Sequence, residues 1–532
     1  MHIIPWYKNA VFYEVSVRSF KDSNGDGHGD LLGLMQKLDY LQTLGIDCIW
    51  LMPIYPSPLR DDGYDIADYC SIAAAYGTPD DLRALVEAAH GRGIRLIMDL
   101  VLNHTSDQHP WFQAACQDRT SPYRDYYVWS DTDEQFKDAR IIFVDAEASN
   151  WTFNDRAGQY YWHRFYASQP DLNFDNPRVQ DEILGVARYW LELGIDGFRV
   201  DAVPYLFERE GTSCENLPET HAFLRRLRAS IDAEFPGRIL LCEANQWPED
   251  VRPYFGDGEE CQMGFQFPLM PRIFMALKKG RIDDIVEVLR RTPLIPDNCQ
   301  WCTFLRNHDE LTLEMVTSQD RQWMWEQYAP EARMRLNLGI RRRLAALLDN
   351  DRRKIELANS LLFTLPGTPI LYYGDEIGMG DNLDLPDRNG LRTPMQWDDS
   401  RFAGFSGSPP WTELAKGELG PRVVNVAQQL ADPTSLFHSV RRMVAVRKEH
   451  LELGCGSMIW VETRNPSVAA FVRELAGDHV LVLSNLVAES QAYSLPAAYH
   501  GGYRDLISNA QIAVGDASSL PAYAFAWLKP LG

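Results

Sequence analysis

The sequence predicts an α/β fold, a (β/α)8 TIM barrel with an inserted subdomain after strand 3 and a C-terminal antiparallel β domain. First, eight short apolar segments alternate with segments of helical apolar spacing over residues 1–450. Such alternation indicates a parallel sheet, and eight units over this length favour a closed barrel over a doubly wound sheet. Second, this alternation is interrupted after the third strand, and third, short alternating strands with turn signals fill residues 451–532.

The first part of the barrel is predicted over residues 1–104. Its strands are β-branched, aromatic or continuously apolar, as expected of parallel strands that are buried on both faces. Its helices have helical apolar spacing and end near glycines, which are common C-caps. In chain order the elements are the strand Val11–Phe20, the helix Leu31–Leu44, the strand Ile46–Pro53, the helix Asp80–Arg92 and the strand Ile94–Asn103.

The second part of the barrel is predicted over residues 175–450, where the same alternation returns. It includes a helix-rich excursion over about residues 320–352. In chain order the other elements are the helix Asn176–Leu193, the strand Gly197–Val203, the helix Pro218–Phe235, the strand Arg238–Asn245, a strand near Cys261–Phe267, helices over Pro271–Arg291, the strand Trp301–Asp309, the helix Arg353–Phe363, the strand Thr368–Glu376 and a helix near Ser435–Glu449.

Two regions fall outside the barrel. Residues 105–174 are rich in Trp, Tyr, Asp and Ser and have no helical period, which predicts an inserted subdomain B. Residues 451–532 contain the short alternating segments IWVETR, SVAAFVREL, HVLVLSNL and YAFAWLKP. We expect these to form a small C-terminal β-sandwich domain.

The composition narrows the classes of function. The 532 residues carry a net charge of −22, which disfavours nucleic acid and anionic membranes as partners and suits neutral polar substrates or cations. An aromatic share of 11% is compatible with rings that stack on sugars, although aromatic residues usually fill cores. No run approaches ~18 apolar residues, so we expect no membrane span. The N-terminal MHIIPWYKNA has no basic stretch and no long apolar run, so we expect no signal peptide.

The nine cysteines are scattered along the chain, and only Cys299 and Cys302 form a C-x-x-C pair. A single pair of this kind is a weak signal for zinc binding or redox activity. We therefore expect reduced, structural cysteines and a cytoplasmic protein.

Reactive side chains stand where several predicted strands end. In a (β/α)8 barrel the catalytic groups lie at the carboxyl-terminal face, which the strand ends share. Each residue alone is equally well explained as a buried, hydrogen-bonded polar group, but their joint position at strand ends favours a common pocket. They are, in chain order, Asp99, Asn103, His104, Arg199, Asp201, Glu243, His308 and Asp309.

Three of these carboxylates suit glycoside chemistry, in which one attacks the anomeric carbon and another protonates the leaving oxygen. Arg199 and Asp201 are two residues apart on a strand and point to one side, so the cation should keep Asp201 ionised as a nucleophile. Glu243 follows the apolar run ILLC, so burial should raise its pKa and keep it protonated as the acid. Asp309 would bind sugar hydroxyls and support the positive charge of the transition state. An Arg199–Asp201 ion pair that only fixes the strand is the alternative.

Four stretches in this order, DLVLNHTS, GFRVDAV, LLCEANQ and FLRNHDE, resemble the signature regions of the α-amylase family of glycoside hydrolases. QPDLNFDNP is similar to a further region of the family's α-glucosidase-like branch, and PGTPILYYGDEIGM resembles the family's eighth strand. The resemblance covers nearly all of residues 1–450. It implies a retaining double displacement at α-glucosidic bonds with Asp201 as nucleophile, Glu243 as acid/base and Asp309 as transition-state stabiliser.

The same resemblance implies a glucose subsite. The stretch GYDI would supply a stacking Tyr64 and a hydroxyl-binding Asp65. The residues that the resemblance assigns to this subsite are Tyr64, Asp65, His104, Arg199 and His308.

The loop DSNGDGHGD, residues 22–30, is rich in oxygen ligands and alternates as a calcium loop does. It is not an EF-hand, because a strand precedes it and Gly33 occupies the twelfth position. It resembles the metal loop of the oligo-1,6-glucosidase branch, and an Asx-rich turn is the alternative. The resemblance implies a structural Ca²⁺ that is held by Asp22, Asn24, Asp26, the carbonyl of His28 and Asp30.

The stretch VPYLFEREGT suggests a second calcium site. Its ligands would be Asn103, Asp171, Glu208 and the carbonyls of Tyr205 and Leu206. The resemblance implies no organic cofactor.

Further stretches resemble the members of the family that rearrange the disaccharide maltose into trehalose. They are VPYLFEREGT, CEANQWPEDV, GFQFPLMPR, NHDELTLEMV and GDEIGMGDNLDLPDRNGLRTPMQW. Cys242 departs from the usual Ala or Gly, and Leu385-Pro386 departs from the usual loop. The resemblance implies isomerisation through a glucosyl-enzyme with minor hydrolysis to glucose. An α-glucosidase or amylosucrase-like enzyme is the alternative of the same class, and a non-catalytic carbohydrate-binding or transporter-associated relative belongs to another class.

The residues also support an acceptor pocket for a second glucose. Asn245 lies two residues past Glu243, and Glu310 and Glu314 are spaced as on one helical face. Arg392 would add donors at the mouth. A solvated helix start is the alternative for Glu310 and Glu314, and a homo-oligomer through the C-terminal domain is left open.

Overall fold

The computed structural model describes residues 4–531, so Met1–Ile3 and Gly532, at the ends of the first and last predicted domains, lie outside the described residues. Eight parallel strands close into a barrel in which each strand pairs with its neighbours along the chain. The predicted fold class is confirmed. The strands are β1 Phe12–Val15, β2 Cys48–Leu51, β3 Arg95–Val101, β4 Gly197–Asp201, β5 Ile239–Cys242, β6 Met263–Phe265, β7 Gln300–Phe304 and β8 Thr368–Tyr372.

Amphipathic helices surround the barrel and bury their apolar sides against it. The helix that precedes β4 begins at Asn176, whose side chain accepts from the N–H of Arg178, and Pro177 occupies its first position. The helices are Leu31–Gln36, Leu38–Leu44, Pro79–His90, Pro177–Glu192, Pro218–Glu234, Leu269–Lys279, Asp283–Arg291, Arg352–Thr364 and Leu436–Glu449.

The register of β3, β4 and β5 aligns the predicted site residues. Asp99 on β3 lies opposite Arg199 on β4. All five residues of β4 are buried, and a Cβ at Gly197 would lie 2.2 Å from the carbonyl oxygen of Ile239. Only glycine therefore lets β4 approach β5 this closely.

The segment between β3 and β4 contains a three-stranded antiparallel sheet of Trp129–Ser130, Trp151–Asn154 and Gln159–Trp162. It also contains the helix Pro110–Gln117, which the sequence analysis missed. The helix is short and begins at His109, whose ring accepts from the N–H of Trp111, so its signal is a local cap rather than a long period.

Two barrel elements differ from prediction. The strand predicted over Val11–Phe20 ends at Val15, and Val17–Phe20 forms a helical turn whose apolar side chains are buried. The helix predicted over Leu31–Leu44 is divided at Lys37, whose φ of −106° and ψ of 6° leave the helix. At the first place Val17 and Phe20 are buried in the helical turn, and at the second the backbone N–H of Lys37 closes a tight turn onto the carbonyls of Leu34 and Met35.

The excursion after β7 mixes helix and sheet. It holds the helix Ser318–Tyr328 and the short helix Leu344–Leu347. Between them lie two strands, Arg335–Leu336 and Gly339–Ile340, which pair with each other. Gly339–Ile340 also pairs with Leu311–Thr312, a strand shortly after β7, and the prediction of a helix-rich excursion did not include this sheet.

The C-terminal region is antiparallel. A six-stranded sheet and a two-stranded sheet enclose an apolar cluster that includes Leu481, Leu483 and Leu528. The strands of the large sheet are Ser457–Trp460, Val468–Leu475, Asp478–Asn485, Phe525–Pro530, Gly501–Asp505 and Gln511–Val514, and those of the small sheet are Gln491–Tyr493 and Ser518–Leu520.

Two features concern the whole described chain. Within residues 4–531, no helix has both the length and the apolar character that a bilayer crossing requires. All nine cysteines fall in this range and are free, and seven of them are buried. Cys299 and Cys302, the C-x-x-C pair, are among the buried ones, which agrees with a structural role.

Candidate active site

A cavity of about 130 Å³ lies at the carboxyl-terminal ends of the barrel strands. It gathers ten of the twelve residues that were predicted to act in catalysis or substrate binding. These are Tyr64, His104, Arg199, Asp201, Glu243, Asn245, His308, Asp309, Glu310 and Glu314. Asp65 and Arg392 do not line it.

Arg199 is the electrostatic centre of this cavity. Its side chain is 1% exposed, and its guanidinium lies 2.6 Å from Asp99 and in contact with Asp201 and Glu243. The pairing of β3 with β4 and of β4 with β5 brings the three carboxylates to one cation. Since one positive charge cannot neutralise three carboxylates, burial competes strongly with attraction at each of them.

Asp201 shows the result of this competition. Burial raises its pKa to about 6, and the attraction of Arg199 opposes the rise only in part. Asp201 is nevertheless mostly ionised at neutral pH, the state that the sequence predicts for it. Ala202 follows with a φ of 51°, a left-handed conformation that is uncommon for a residue with a Cβ, and its N–H donates to Glu243 at 3.3 Å.

Glu243 has a higher pKa than Asp201. Burial raises its pKa to about 7 against the attraction of Arg199, as the apolar run before it predicted. A carboxyl group that titrates near neutral pH can both release and accept a proton, which is the property that acid/base catalysis needs.

Asp309 lies among cations. Burial would raise its pKa, but His308 and Arg388, followed by Arg392, hold the pKa well below its usual range. Arg388 Nη1 donates to Asp309 at 2.8 Å, and both Arg392 Nη2 and His308 Nε2 lie 3.1 Å from its oxygens. Asp309 is thus an ionised acceptor at the cavity wall.

Rings and a neutral imidazole form the inner end of the cavity. The ring of Tyr64 stacks on His308 with centroids 5.2 Å apart and 13° between planes. Burial lowers the pKa of His104 to about 3, so this histidine is neutral. Flat rings and neutral hydrogen-bonding groups suit the faces and hydroxyls of a sugar ring.

The prediction that Asp65 lines this cavity is wrong. Its carboxylate accepts from the hydroxyl of Ser57 at 2.7 Å and from the backbone N–H groups of Arg60 and Asp61 at 3.0 and 3.1 Å. The hydrogen bonds of Asp65 therefore stabilise the loop after β2. Asp61 lines the cavity in its place and contacts Arg388.

The prediction that Arg392 adds donors at the mouth is also wrong. Arg392 is 1% exposed and lies behind Asp309, where its Nε donates to the carbonyl of His308 at 2.9 Å. Arg388, four residues earlier, lines the cavity and bridges Asp61 and Asp309. The sequence analysis missed Asp61 and Arg388, because both lie in irregular loops; the only signal was the surplus charge of DDGYDI and DRNGLR.

Asn245, Glu310 and Glu314 line the outer part of the cavity as expected, but not on a helix. Leu311–Thr312 is a strand, so Glu310, Thr312 and Glu314 follow a period of two. The helical interpretation is wrong, because this segment pairs with Gly339–Ile340. The amide of Asn245 donates to the hydroxyl of Thr312 at 3.2 Å.

The segment between β3 and β4 supplies one wall of the cavity. Ile142, Phe143 and Phe165 are its apolar part. Arg140 donates to Glu314 at 3.0 Å and to the hydroxyl of Tyr205 at 3.1 Å. The wall is therefore tied to the loop after β7 by an ion pair and to the loop after β4 by a hydrogen bond.

The first predicted metal loop is closed by its own hydrogen bonds. Asp22 accepts from the N–H groups of Asn24 and Gly25, His28 donates its N–H to Asp26, and Asp30 caps the next helix. The donor set is one that Ca²⁺ prefers. Within residues 4–531, no cluster of three or more His, Cys, Asp or Glu side chains is arranged to hold a metal ion. Calcium binding at this loop stays a prediction.

The second predicted metal site contains unsatisfied oxygens. Asn103 Oδ1, Asp171 Oδ2 and Glu208 Oε1 are buried and find no hydrogen-bond partner in the described part of the chain. Burial raises the pKa of Asp171 to about 8 and that of Glu208 well above its usual value, with the charge of Asp171 adding to the latter. Tyr205 and Leu206 follow β4 in a buried turn. Buried oxygens of this kind fit a hard cation.

The sequence pattern of the family described as alpha amylase, catalytic domain, matches residues 14–336 and 333–456. The chain belongs to the alpha-amylase family. The maltogenic amylase C-terminal domain matches residues 458–527, which contain most of the antiparallel sheets. The two matches together span the barrel and most of the C-terminal region.

Individual relatives narrow the comparison. Trehalose synthase/amylase TreS of Mycobacterium tuberculosis (strain ATCC 25618 / H37Rv) is 55% identical over 541 residues, 98% of this chain and 90% of that protein. Trehalose synthase of Pimelobacter sp. (strain R48) is 54% identical over 514 residues, 93% of this chain and 90% of that protein. The solved structure of trehalulose synthase MutB from Pseudomonas mesoacidophila MX-45 has a TM-score of 0.80 at 28% identity and covers 99% of each chain.

Proposed function

We propose that this protein is a maltose α-D-glucosyltransferase that isomerises maltose to trehalose, with minor hydrolysis to glucose. The observation that carries the proposal is an identity of 54–55% over 93–98% of the chain to proteins named trehalose synthase. The similarity to a trehalulose synthase, whose name denotes another sugar, supports the wider class of sugar isomerases and transglucosidases.

In the first step Asp201 attacks the anomeric carbon of the non-reducing glucose of maltose. Its pKa of about 6 leaves it ionised at neutral pH, as a nucleophile must be. Glu243 gives its proton to the oxygen that leaves, so the bond to the second glucose breaks while the bond to Asp201 forms. Asp309, held ionised by its cations, supports the positive charge that develops on the sugar ring.

In the second step the released glucose attacks the glucosyl-enzyme through its own anomeric hydroxyl. Glu243, now ionised, takes the proton of that hydroxyl, and the bond between sugar and Asp201 breaks. Two displacements at the same carbon retain its configuration and give an α,α-1,1 bond. The pKa of Glu243 of about 7 suits both its proton donation and its proton acceptance.

Retention of the second glucose is what would separate an isomerase from a hydrolase. Asn245, Glu310 and Glu314 offer polar groups on the outer side of the cavity, and the Arg140–Glu314 ion pair holds the wall against the loop after β7. The apolar side chains of that wall limit access of water to the glucosyl-enzyme. The geometry therefore supports transfer to a trapped sugar over transfer to water.

We also propose a structural Ca²⁺ at the second predicted site. When bound, it would neutralise Asp171 and Glu208 and join the end of β3 to the segments around it, with Asn103 as a third ligand. The Ca²⁺ loop at residues 22–30, the cytoplasmic location and a homo-oligomer stay predictions.

Product analysis tests the proposed function. The purified enzyme is incubated with maltose, and trehalose, maltose and glucose are separated by chromatography at successive times; the reverse reaction starts from trehalose. We expect trehalose as the main product from maltose and maltose from trehalose. Glucose as the sole product would make the enzyme an α-glucosidase, and no product would favour a non-catalytic relative.

A further inference from the structure

We propose that Glu14 is a positioning residue that holds His308 as a doubly protonated imidazolium at the back of the active site. Glu14 lies on β1, and His308 follows β7. The carboxylate of Glu14 contacts Nδ1 of His308 and also accepts from its backbone N–H at 3.3 Å. Both side chains are inaccessible to solvent, with exposures of 0% for Glu14 and 1% for His308.

Each ring nitrogen of His308 faces a carboxylate. Nδ1 of His308 faces an oxygen of Glu14, and Nε2 lies 3.1 Å from an oxygen of Asp309. A neutral imidazole carries one N–H, so its other nitrogen would place a lone pair against a carboxylate. Two carboxylates on opposite nitrogens are satisfied only when both nitrogens carry protons.

The charge of Glu14 gives a second reason. In the described part of the chain, His308 is the ion-pair partner of Glu14, and Glu14 Oε2 finds no hydrogen-bond donor. A fully buried carboxylate without a counter-charge is strongly unfavourable. A neutral His308 would leave Glu14 in that state, whereas an imidazolium pairs with it.

The other charged groups around His308 do not reverse this conclusion. Burial lowers the pKa of His308, but Asp309 and Glu14 more than compensate and raise it to about 9. The aromatic rings of Trp50 and Tyr64 pack on the imidazole. Other charged groups of the neighbouring elements are Asp61 after β2, Asp99 on β3, Arg199 and Asp201 on β4, Glu243 after β5, and Arg388 and Arg392 after β8.

A fixed positive charge on His308 has consequences for the reacting carboxylates. It lowers the pKa of Asp309, which keeps this carboxylate ionised, and it lowers the pKa of Glu243 towards neutral pH. Glu14 would therefore tune the acid/base group through His308 without touching the sugar. This inference deepens the proposed function, on which its kinetic consequence rests, while the protonation state of His308 is independent of it.

The test is the titration of His308 by NMR in enzyme with labelled histidine, with the resonance assigned by its absence in His308→Gln. In the wild-type enzyme we expect both ring nitrogens to be protonated at pH 7. In Glu14→Gln, a nearly isosteric change, the pKa of His308 should fall by roughly 1–3 units, the usual effect of one adjacent opposite charge. Glu14→Asp, which keeps the charge, should fall between the two.

Glu260→Gln is the matched control. Glu260 is 2% exposed and contacts Nδ1 of His221 at 2.9 Å on the outside of the barrel. It undergoes the same chemical change beside a histidine, and it should leave the titration of His308 unchanged. A single-tautomer neutral His308 at pH 7 in the wild-type enzyme, or an unchanged pKa of His308 in Glu14→Gln, would overturn the inference, and neither result depends on the enzyme's product.

The kinetic measurement adds a readout that general destabilisation would not give. In Glu14→Gln the acid limb of the pH profile of kcat for maltose should move to higher pH, because Asp309 and Glu243 lose the positive charge of His308, one of the charges that lower their pKa values. We expect kcat at pH 7 to fall on the order of tenfold with a smaller change in KM. Glu260→Gln should keep the wild-type profile, and a Glu14→Gln profile that scales uniformly at every pH would reduce Glu14 to a structural residue.

Discussion

Removal of the charge of Arg199 is predicted to shift the pH profile of kcat to higher pH. Arg199 contacts Asp99, Asp201 and Glu243, and its attraction lowers the pKa of each. In Arg199→Gln this attraction is lost while burial remains. Asp201 should then stay protonated at neutral pH and fail as a nucleophile, and Glu243 should stay protonated to higher pH.

The magnitude follows from the distances. Two unit charges ~4 Å apart at an effective dielectric constant of ~20 interact by ~4 kcal/mol, which corresponds to ~3 units of pKa. A shift of the Asp201 pKa from about 6 to ~9 lowers its ionised fraction at pH 7 from ~90% to ~1%. Because Arg199 is shared by three carboxylates, a ~100-fold loss of kcat at pH 7 is the upper value.

The assay is kcat and kcat/KM for maltose across the pH range, with folding verified by circular dichroism. Activity of Arg199→Gln should recover with rising pH, and Arg199→Lys should lie between it and the wild-type enzyme. Arg447→Lys is the matched control, since Arg447 is equally buried but donates only to carbonyls, those of Phe363 and Gly367 among them. An unchanged pH optimum in Arg199→Gln would refute the electrostatic argument.

Three further predictions concern the catalytic carboxylates, the metal and the cavity wall. Asp201→Asn and Glu243→Gln should each lower kcat by ~10³-fold or more at nearly unchanged thermal stability. A fluoroglucoside inactivator should label the wild-type enzyme but not Asp201→Asn. Near-normal turnover of either variant would contradict the assigned mechanism. A chelator should lower the melting temperature of the wild-type enzyme, and added Ca²⁺ should restore it. Asp171→Asn should abolish this effect. A melting temperature of the wild-type enzyme that responds to neither addition would contradict the proposed Ca²⁺ site. Arg388→Lys should lower kcat/KM on the order of tenfold, because a lysine cannot bridge Asp61 and Asp309, whereas the exposed Arg401→Lys should have no effect; equal kinetics of the two variants would contradict the role of Arg388.

The barrel and the inner carboxylates were predictable because the local sequence of each strand indicates where the strand ends. Asp201, Glu243 and Asp309 each follow a short apolar strand, and the carboxyl ends of parallel strands meet at one face of a barrel. The local sequence therefore indicates both the element and the end at which the side chain lies. The same reasoning found Arg199 and His308.

Loop residues were not predictable in this way. Three acids lie close together in DDGYD, and the residue that faces the cavity is decided by a partner far along the chain. Asp61 contacts Arg388, 327 residues away along the chain, whereas Asp65 accepts hydrogen bonds from N–H groups of its own loop. Only the tertiary structure distinguishes them.

Competing interactions also limited what could be predicted from the sequence. The sequence pairs Arg199 with Asp201 alone, but in the structure three carboxylates share this arginine, and burial raises the pKa of Asp201 to about 6. Likewise, the spacing of Glu310 and Glu314 fits a helix, but pairing of the strand Leu311–Thr312 with Gly339–Ile340 overrides it. Both differences come from long-range contacts that neighbouring residues do not specify.

The most direct test of the proposed intramolecular transfer is isotope exchange during the conversion of maltose. The enzyme acts on unlabelled maltose in the presence of ¹³C-labelled free glucose, and mass spectrometry of the trehalose measures how much label it contains. A cavity that holds the released glucose beside Asn245, Glu310 and Glu314 predicts trehalose with little label. Trehalose labelled to the isotopic proportion of the free glucose would show that the sugar leaves between the two steps, and it would contradict the trapped intermediate.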